Sequence, residues 1–206
     1  MIEAGERGEP IPGDLVGSGN NYLRSVAQRD GNNLTEERQS AYAIYLLTRQ
    51  GTRMAAEIAA ARKRLAERYR GQWEKDLTAA WLAASLDLMR QDRDAESLIS
   101  GVKFGAPSDE LYYDAMTRDG LLLFVMSRHF PERLRTVPAE VFTTMAQRVT
   151  DDQYHSLSAG ATLLALDSYA GATEGAARNL SIAEVLKDKK VRGLTLTDGL
   201  FPTMKF

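Results

Sequence analysis

Four aliphatic stretches of this chain end in nearly the same way and at nearly equal spacing: residues 41–50 (AYAIYLLTRQ), 79–91 (AAWLAASLDLMRQ), 120–130 (GLLLFVMSRHF) and 158–171 (SAGATLLALDSYAG). With Arg49, Arg90, Arg128 and Tyr169 taken as equivalent points, the offsets are 41, 38 and 41 residues. Self-similarity at a fixed period of this size marks a chain built by stacking one supersecondary unit. The repeat therefore constrains architecture before any motif is considered.

Composition narrows the rest. A length of 206 residues suits one large domain, or one domain and part of another. The chain has 26 basic and 28 acidic residues for a net charge of −2, a balance that favours neither nucleic acid nor an anionic membrane. There are no cysteines, which excludes disulfides, thiolate nucleophiles and zinc–thiolate sites. No apolar run approaches the roughly 18 residues expected of a membrane span. Residues 1–14 (MIEAGERGEPIPGD) lack the basic and apolar regions of a signal peptide. Ile2, Glu3 and Ala4 read like the last turn of a helix.

The helix signals alternate between wetter and greasier segments. Pro10 and Pro12 punctuate an entry loop, and Asp14 is placed to cap a helix over 14–28 that Gly17 and Gly19 weaken by about 1 kcal/mol each. Thr35 is placed to cap a helix over 35–50 that stops at Gly51. Helix 54–69 carries one apolar stripe of Ile58, Ala61 and Leu65, ends at Gly71, and presents Arg62, Lys63 and Arg64 on a solvated face. Helix 76–91 is apolar around most of its circumference, as an inner helix packed on several sides must be. A short helix over 93–102 precedes one over 110–130, capped by Ser108 or Asp109 and stopped by Pro131. Pro138 opens a helix to 149, and a last helix over 156–170 ends at Gly171.

The pattern is all-α: an α/α toroid-like array of four outer–inner hairpins, a partial ring, followed by a short C-terminal β segment. The hairpins pair 14–28 with 35–50, 54–69 with 76–91, 93–102 with 110–130, and 138–149 with 156–170. Residues 1–171 form the helical part. Residues 172–206 hold a linker and two or three strands, around Leu180, Ile182 and Val185 and then Val191, Leu194 and Leu196, too few to stand as a sheet alone.

Candidate chemistry is sparse. His129 closes a helix with no carboxylate or second histidine four residues away, so it reads as a helix-terminal structural residue. His155 follows Asp151 and Asp152 at the start of an inner helix and reads as a cap or interface residue. These three lack a recognised metal-ligand spacing. Asp114 with Asp119, or Glu110 with Asp114, are the acids a toroid glycosidase would use, but such enzymes bind sugars on aromatic platforms. Here aromatics are 8% of the chain and only Trp73 and Trp81 are tryptophans. Tyr112 and Tyr113 read as packing. No GxGxxG, P-loop, GxSxG or HExxH pattern is present. No residue is assigned a catalytic, cofactor-binding or metal-binding role.

Read as whole segments, the chain resembles the thioester-domain region of bacterial α2-macroglobulins. The resemblance rests on EAGERGEPIPGDL (3–15), RQSAYAIYLLTRQG (38–51), RDGLLLFVMSRHFPE (118–132) and YHSLSAGATLLALDSYAG (154–171). It implies successive hairpins of an α/α toroid and then the start of a β-rich domain. The family toroid has six hairpins against the four read here, which places the earlier part of the ring outside this chain. The family thioester motif, Cys-x-Glu-Gln, is absent, so no covalent-capture residue carries over. The implied role is a non-enzymatic piece of a large periplasmic protein that traps proteases after bait cleavage. Its implied partners are those proteases, through the parent protein, and neighbouring β domains of the same parent, with no cofactor. The alternatives are a TPR-like scaffold that binds peptides and an α/α-toroid glycosidase.

Overall fold

A computed structural model describes residues 2–110, 113–173, 182–185 and 191–194. Contacts divide the chain into two units, Met1–Tyr169 and Ala170–Phe206. The described helices are α1 (Ile2–Glu6), α2 (Gly13–Ala27), α3 (Leu34–Arg49), α4 (Ala55–Arg68), α5 (Leu77–Leu88), α6 (Asp92–Ile99), α7 (Ala115–His129), α8 (Ala139–Thr150) and α9 (Ser156–Thr173). None is long and apolar enough to cross a membrane.

Several helix starts differ from the sequence expectation, each for a local reason. Pro12, not Asp14, occupies the cap position of α2, and Asp14 lies in the first turn. Asn33 caps α3, its side-chain oxygen accepting from the Glu36 N–H at 2.8 Å. This leaves the Thr35 hydroxyl to donate to Glu110 at 3.1 Å. The helix expected from residue 110 begins only at Ala115. Asp109–Glu110 (β1) and Tyr113–Asp114 (β2) pair antiparallel ahead of it, and Asp114 accepts the Thr117 N–H at 2.7 Å as the cap. Ser108 and Asp109 therefore do not cap this helix. Pro138 stands at the cap of α8, one residue before the helix. α9 runs past Gly171, which does not take the left-handed conformation that ends α3 at Gly51, where φ is +85°.

The core lies along α5, where every residue from Leu77 to Leu86 is buried. Small residues make this possible: Ala79, Ala80, Ala83 and Ala84 leave α3 and α7 close enough to cover Trp81, Leu82 and Leu86. Fully burying each leucine contributes about 2 kcal/mol. α4 buries only Ile58, Ala61 and Leu65, the stripe read from its sequence. Inner helices α3, α5 and α7 pack side by side, and the outer helices lie against them.

The alternation of inner and outer helices stands. α2 packs on α3 and α8 meets α9 as expected, through Phe142 and Tyr169 with ring centres 5.0 Å apart, and α4 packs also on the preceding α3, α6 on the preceding α5, and α8 on the preceding α7. Link length explains the α5–α6 pair. Only residues 89–91 join them, with Arg90 at φ 60° making the reversal, and a link that short leaves antiparallel neighbours no choice. The longer passage from α4 to α5 contains the 3-10 turn Trp73–Lys75.

In the second unit, Ile182–Val185 (β3) and Val191–Leu194 (β4) form an antiparallel pair, with Ile182 opposite Leu194 and Val185 opposite Val191. Leu180 and Leu196, and the tail read as a further strand, lie outside the described residues.

α7 and α9 touch through a glycine. A Cβ on Gly120 would stand 3.2 Å from the Ala161 carbonyl carbon and 3.3 Å from the Thr162 nitrogen, both backbone atoms of α9. A side chain there has to push the helices apart. Gly120→Val is therefore expected to destabilise the chain by about 2 kcal/mol despite its better helix propensity, measured by urea unfolding.

Candidate functional site

Polar side chains tie the inner helices together at both ends. At the C-terminal ends, the His129 ring on α7 lies between Tyr45 of α3 and Asp87 of α5. Its Nε2 is 3.0 Å from the Tyr45 hydroxyl and its Nδ1 is 2.9 Å from Asp87 Oδ2. Burial lowers the His129 pKa, Asp87 opposes that shift, and the Arg128 and Arg49 charges add to it. Burial likewise pushes the Tyr45 phenol above its ordinary range. The neutral ring therefore donates from Nδ1 to Asp87 and accepts the Tyr45 O–H at Nε2.

This arrangement has the connectivity of a catalytic relay, but Tyr45 is fully buried, with no accessible surface for a substrate to meet. The relay fastens three helices. The sequence shows no carboxylate partner for His129 at helical spacing; the structure supplies one, Asp87, from a neighbouring helix.

At the N-terminal ends, Arg38 of α3 is clamped by two carboxylates. It bonds Asp76, the cap of α5, at 2.8 and 2.9 Å, and Glu110 at 3.2 Å. Its guanidinium stacks 3.7 Å from the Tyr113 ring centre. Burial works against the Arg38 charge, and the hydrogen bonds to Asp76 and Glu110 overcome it, so its pKa rises above the ordinary arginine range. Nearby, His155 Nε2 lies 3.8 Å from Asp114, and its Nδ1 accepts the Ser158 N–H at 3.3 Å. That contact sets the start of α9 beside the start of α7, so the inner helices run parallel.

Between the two clamps is a cavity of about 560 Å³. Its apolar lining is Tyr42, Leu77, Trp81, Leu121, Ala161 and Leu164, and the Arg38–Glu110 pair forms part of its rim. On the other side of Tyr42 and Trp81 a second cavity, about 350 Å³, reaches Ile2 and Glu3 of α1. Arg49 fastens α1 there through Glu3 at 2.6 Å and through Glu6, which Arg128 also binds.

The remaining sequence candidates do not converge. Asp151 accepts from Gln147 at the end of α8, apart from His155 and Asp114. Among the described residues no group of three potential ligands could hold a metal ion. Asp114 caps α7. Asp119 bonds Arg118 and the Gly105 N–H, with burial pushing its carboxyl up against both. Glu110 holds Arg38. All three acids are thus engaged with other side chains or backbone, and both tryptophans are buried. Arg64 departs from the solvated face expected of it: it bonds Glu37, whose side chain is fully buried, at 3.1 Å. Arg62 pairs with Asp94 at the surface. Tyr113 packs against Arg38, and Tyr112 lies outside the described residues.

No family model matches the chain. Individual proteins do. It is 30% identical over 98% of its length to the α2-macroglobulin homolog of Yersinia pestis. It is 33% identical over 82% to α2-macroglobulin of Rickettsia conorii and 32% identical over 88% to that of Pasteurella multocida. The chain spans about a tenth of these relatives, between 9% and 11% of their length. Its fold matches part of Escherichia coli α2-macroglobulin activated by porcine elastase, with a TM-score of 0.57 and 17% identity over 88% of this chain and 16% of that one. The chain is thus a helical fold that matches one region of much longer proteins. It belongs to the bacterial α2-macroglobulin family.

The two clamps lead to separate expectations. Arg38→Met leaves Asp76 and Glu110 facing each other without a cation, so a loss of about 3 kcal/mol is expected in urea unfolding. For His129 the folded pKa is depressed, so the unfolded chain binds the proton more readily. Its contribution is complete above about pH 6.5 and is lost as pH falls toward the folded pKa. His129→Gln is expected to flatten the fall in stability below pH 6.5 by up to about 1.4 kcal/mol per pH unit. Parallel unfolding curves for both proteins from pH 7 to 5 check this.

Proposed function

We propose that this chain is a non-catalytic structural and interaction segment of a periplasmic α2-macroglobulin-like protease trap. In this reading residues 1–171 are part of an α/α toroid of the thioester domain, and residues 172–206 lead into a following β-rich domain. The parent protein captures a protease after bait cleavage, and this segment contributes helix-to-helix and domain contacts. The observation that carries the reading is the 30% identity spread over 98% of the chain. The acids weighed for glycoside hydrolysis support it, because Asp114, Asp119 and Glu110 are each engaged in holding helices or caps.

A trap works by enclosure, so its signature depends on substrate size. The parent protein, mixed with an excess-free amount of a serine endopeptidase, is expected to suppress digestion of a large protein substrate while a small chromogenic peptide is still cleaved. The 206-residue chain alone is expected to change neither rate and to hydrolyse neither substrate. Turnover by the chain itself would contradict the non-catalytic reading. Undiminished digestion of the large substrate in the presence of the parent would contradict the trap.

A further inference from the structure

Charge is the main thing that fastens α1 to the helices around it. None of its residues is buried, and one turn of helix does not hold itself in water. Arg49 of α3 takes Glu3 at 2.6 Å and Glu6 at 2.5 Å. Arg128 of α7 also binds Glu6 and stands 3.7 Å from Glu3. Just past the helix, Arg7 reaches Asp167 of α9 at 2.5 Å. The segment is thus tied to α3, α7 and α9 at once.

The two arginines connect this segment to the clamp at His129. The Arg49 side chain is only 5% exposed, and among the described residues its ion-pair partners are both on α1. Both guanidiniums stand over the Phe124 ring, 5.7 and 6.0 Å from its centre. The neighbouring His129 ring is buried, with its nitrogens committed to Tyr45 of α3 and Asp87 of α5. Burial opposes a proton on that ring, Asp87 favours one, and the Arg128 and Arg49 charges oppose it. Other charged groups on the elements around α7 are engaged elsewhere. In the turn after it Arg133 bonds Glu96 of α6 at 2.5 Å, while Glu132 and Arg135 are exposed. Arg148 of α8 acts on Asp119, Asp114 caps the far end, and Asp167 of α9 has Arg7.

With α1 in place, Glu3 and Glu6 offset the two cations by direct contact. With α1 lifted, both cations act on the ring in full. Coupling between two equilibria is reciprocal, so what α1 does for the proton, the proton does for α1. We propose that α1 is a charge-held strap whose docking and the protonation of His129 reinforce each other through Arg49 and Arg128. Acid then acts in opposite senses on two parts of one unit. It loosens the α3–α5–α7 clamp, because the charged ring no longer accepts from Tyr45, and it tightens the strap. The window opens below about pH 6.5, as the ring takes up its proton. It stays open while Glu6 is ionised; burial works against that charge, but the bonds and charges of Arg49 and Arg128 win and lower its pKa. The latch is a property of this chain and does not depend on what the parent protein does.

Proton NMR reads the ring directly, since His129 and His155 are the two histidines of the chain and His155→Gln assigns their signals. Glu3→Gln combined with Glu6→Gln is expected to lower the His129 titration midpoint by about half a pH unit, roughly threefold in proton affinity. Neither glutamate is buried, so this variant should melt close to the wild type. Arg128→Gln should move the midpoint the other way, a reversal that mere loosening of the fold would not produce. Hydrogen exchange, corrected for the intrinsic rate at each pH, reads the strap through the Arg7, Gly8 and Glu9 amides that close its turn. Their protection should rise by up to about threefold between pH 7.5 and 5 while that of α5 falls. In His129→Gln the strap should stay docked and the rise should vanish. A midpoint unchanged or raised by the paired glutamine substitution would overturn the coupling. So would strap protection that falls together with α5 on acidification, or a rise that survives in His129→Gln.

Discussion

One buried imidazole holds the inner layer together. His129 reaches Tyr45 and Asp87 at once, so a single side chain fixes the distances among α3, α5 and α7 near their C-terminal ends. Apolar packing has no comparable specificity, because alanine-rich helices slide against one another at little cost. A ring that must donate on one side and accept on the other permits one register only. The cost is pH sensitivity, since a proton on the ring removes the acceptor that Tyr45 needs.

The Arg38 cluster does the same at the opposite ends, by a different chemistry. A guanidinium presents a fixed fork of donors, and Asp76 and Glu110 approach it from two chain segments. With both ends pinned, the middle of the layer need not be filled to the last methyl group. The aromatic cluster of Tyr42, Tyr45 and Trp81, with ring centres 4.7–6.4 Å apart, bridges α3 and α5 there. The cavity opens beside it. In this sense the hollow is a consequence of where the polar groups stand, and it faces the start of α9, whose Leu157 remains half in water.

Much of this fold was legible in the residues, because helix periodicity is a local signal. The greasy α5 and the single stripe of α4 follow from spacing alone. Caps were less legible: Asn33 and Asp114 compete with neighbours of equal capping ability, and tertiary bonds decide between them. Thr35 lost its place because its hydroxyl has Glu110 to reach. The clamps were missed since their members lie far apart in sequence, yet the repeat contained them. Tyr45, Asp87 and His129 are separated by 42 residues each, and Arg38 and Asp76 by 38, the same period as the aliphatic stretches. Polar residues in phase across repeats were a signal that a search at four-residue spacing could not detect.

The most direct test is a double-mutant cycle through the ring. Tyr45→Phe and Asp87→Asn remove its two partners without touching His129, and urea unfolding at pH 7.5 gives the stability of each single and of the double variant. The two residues do not need to touch, so any coupling has to pass through the imidazole. A coupling of about 1 kcal/mol is predicted. Additive losses, agreeing within about 0.3 kcal/mol, would contradict the claim that one histidine sets the register of the inner helices.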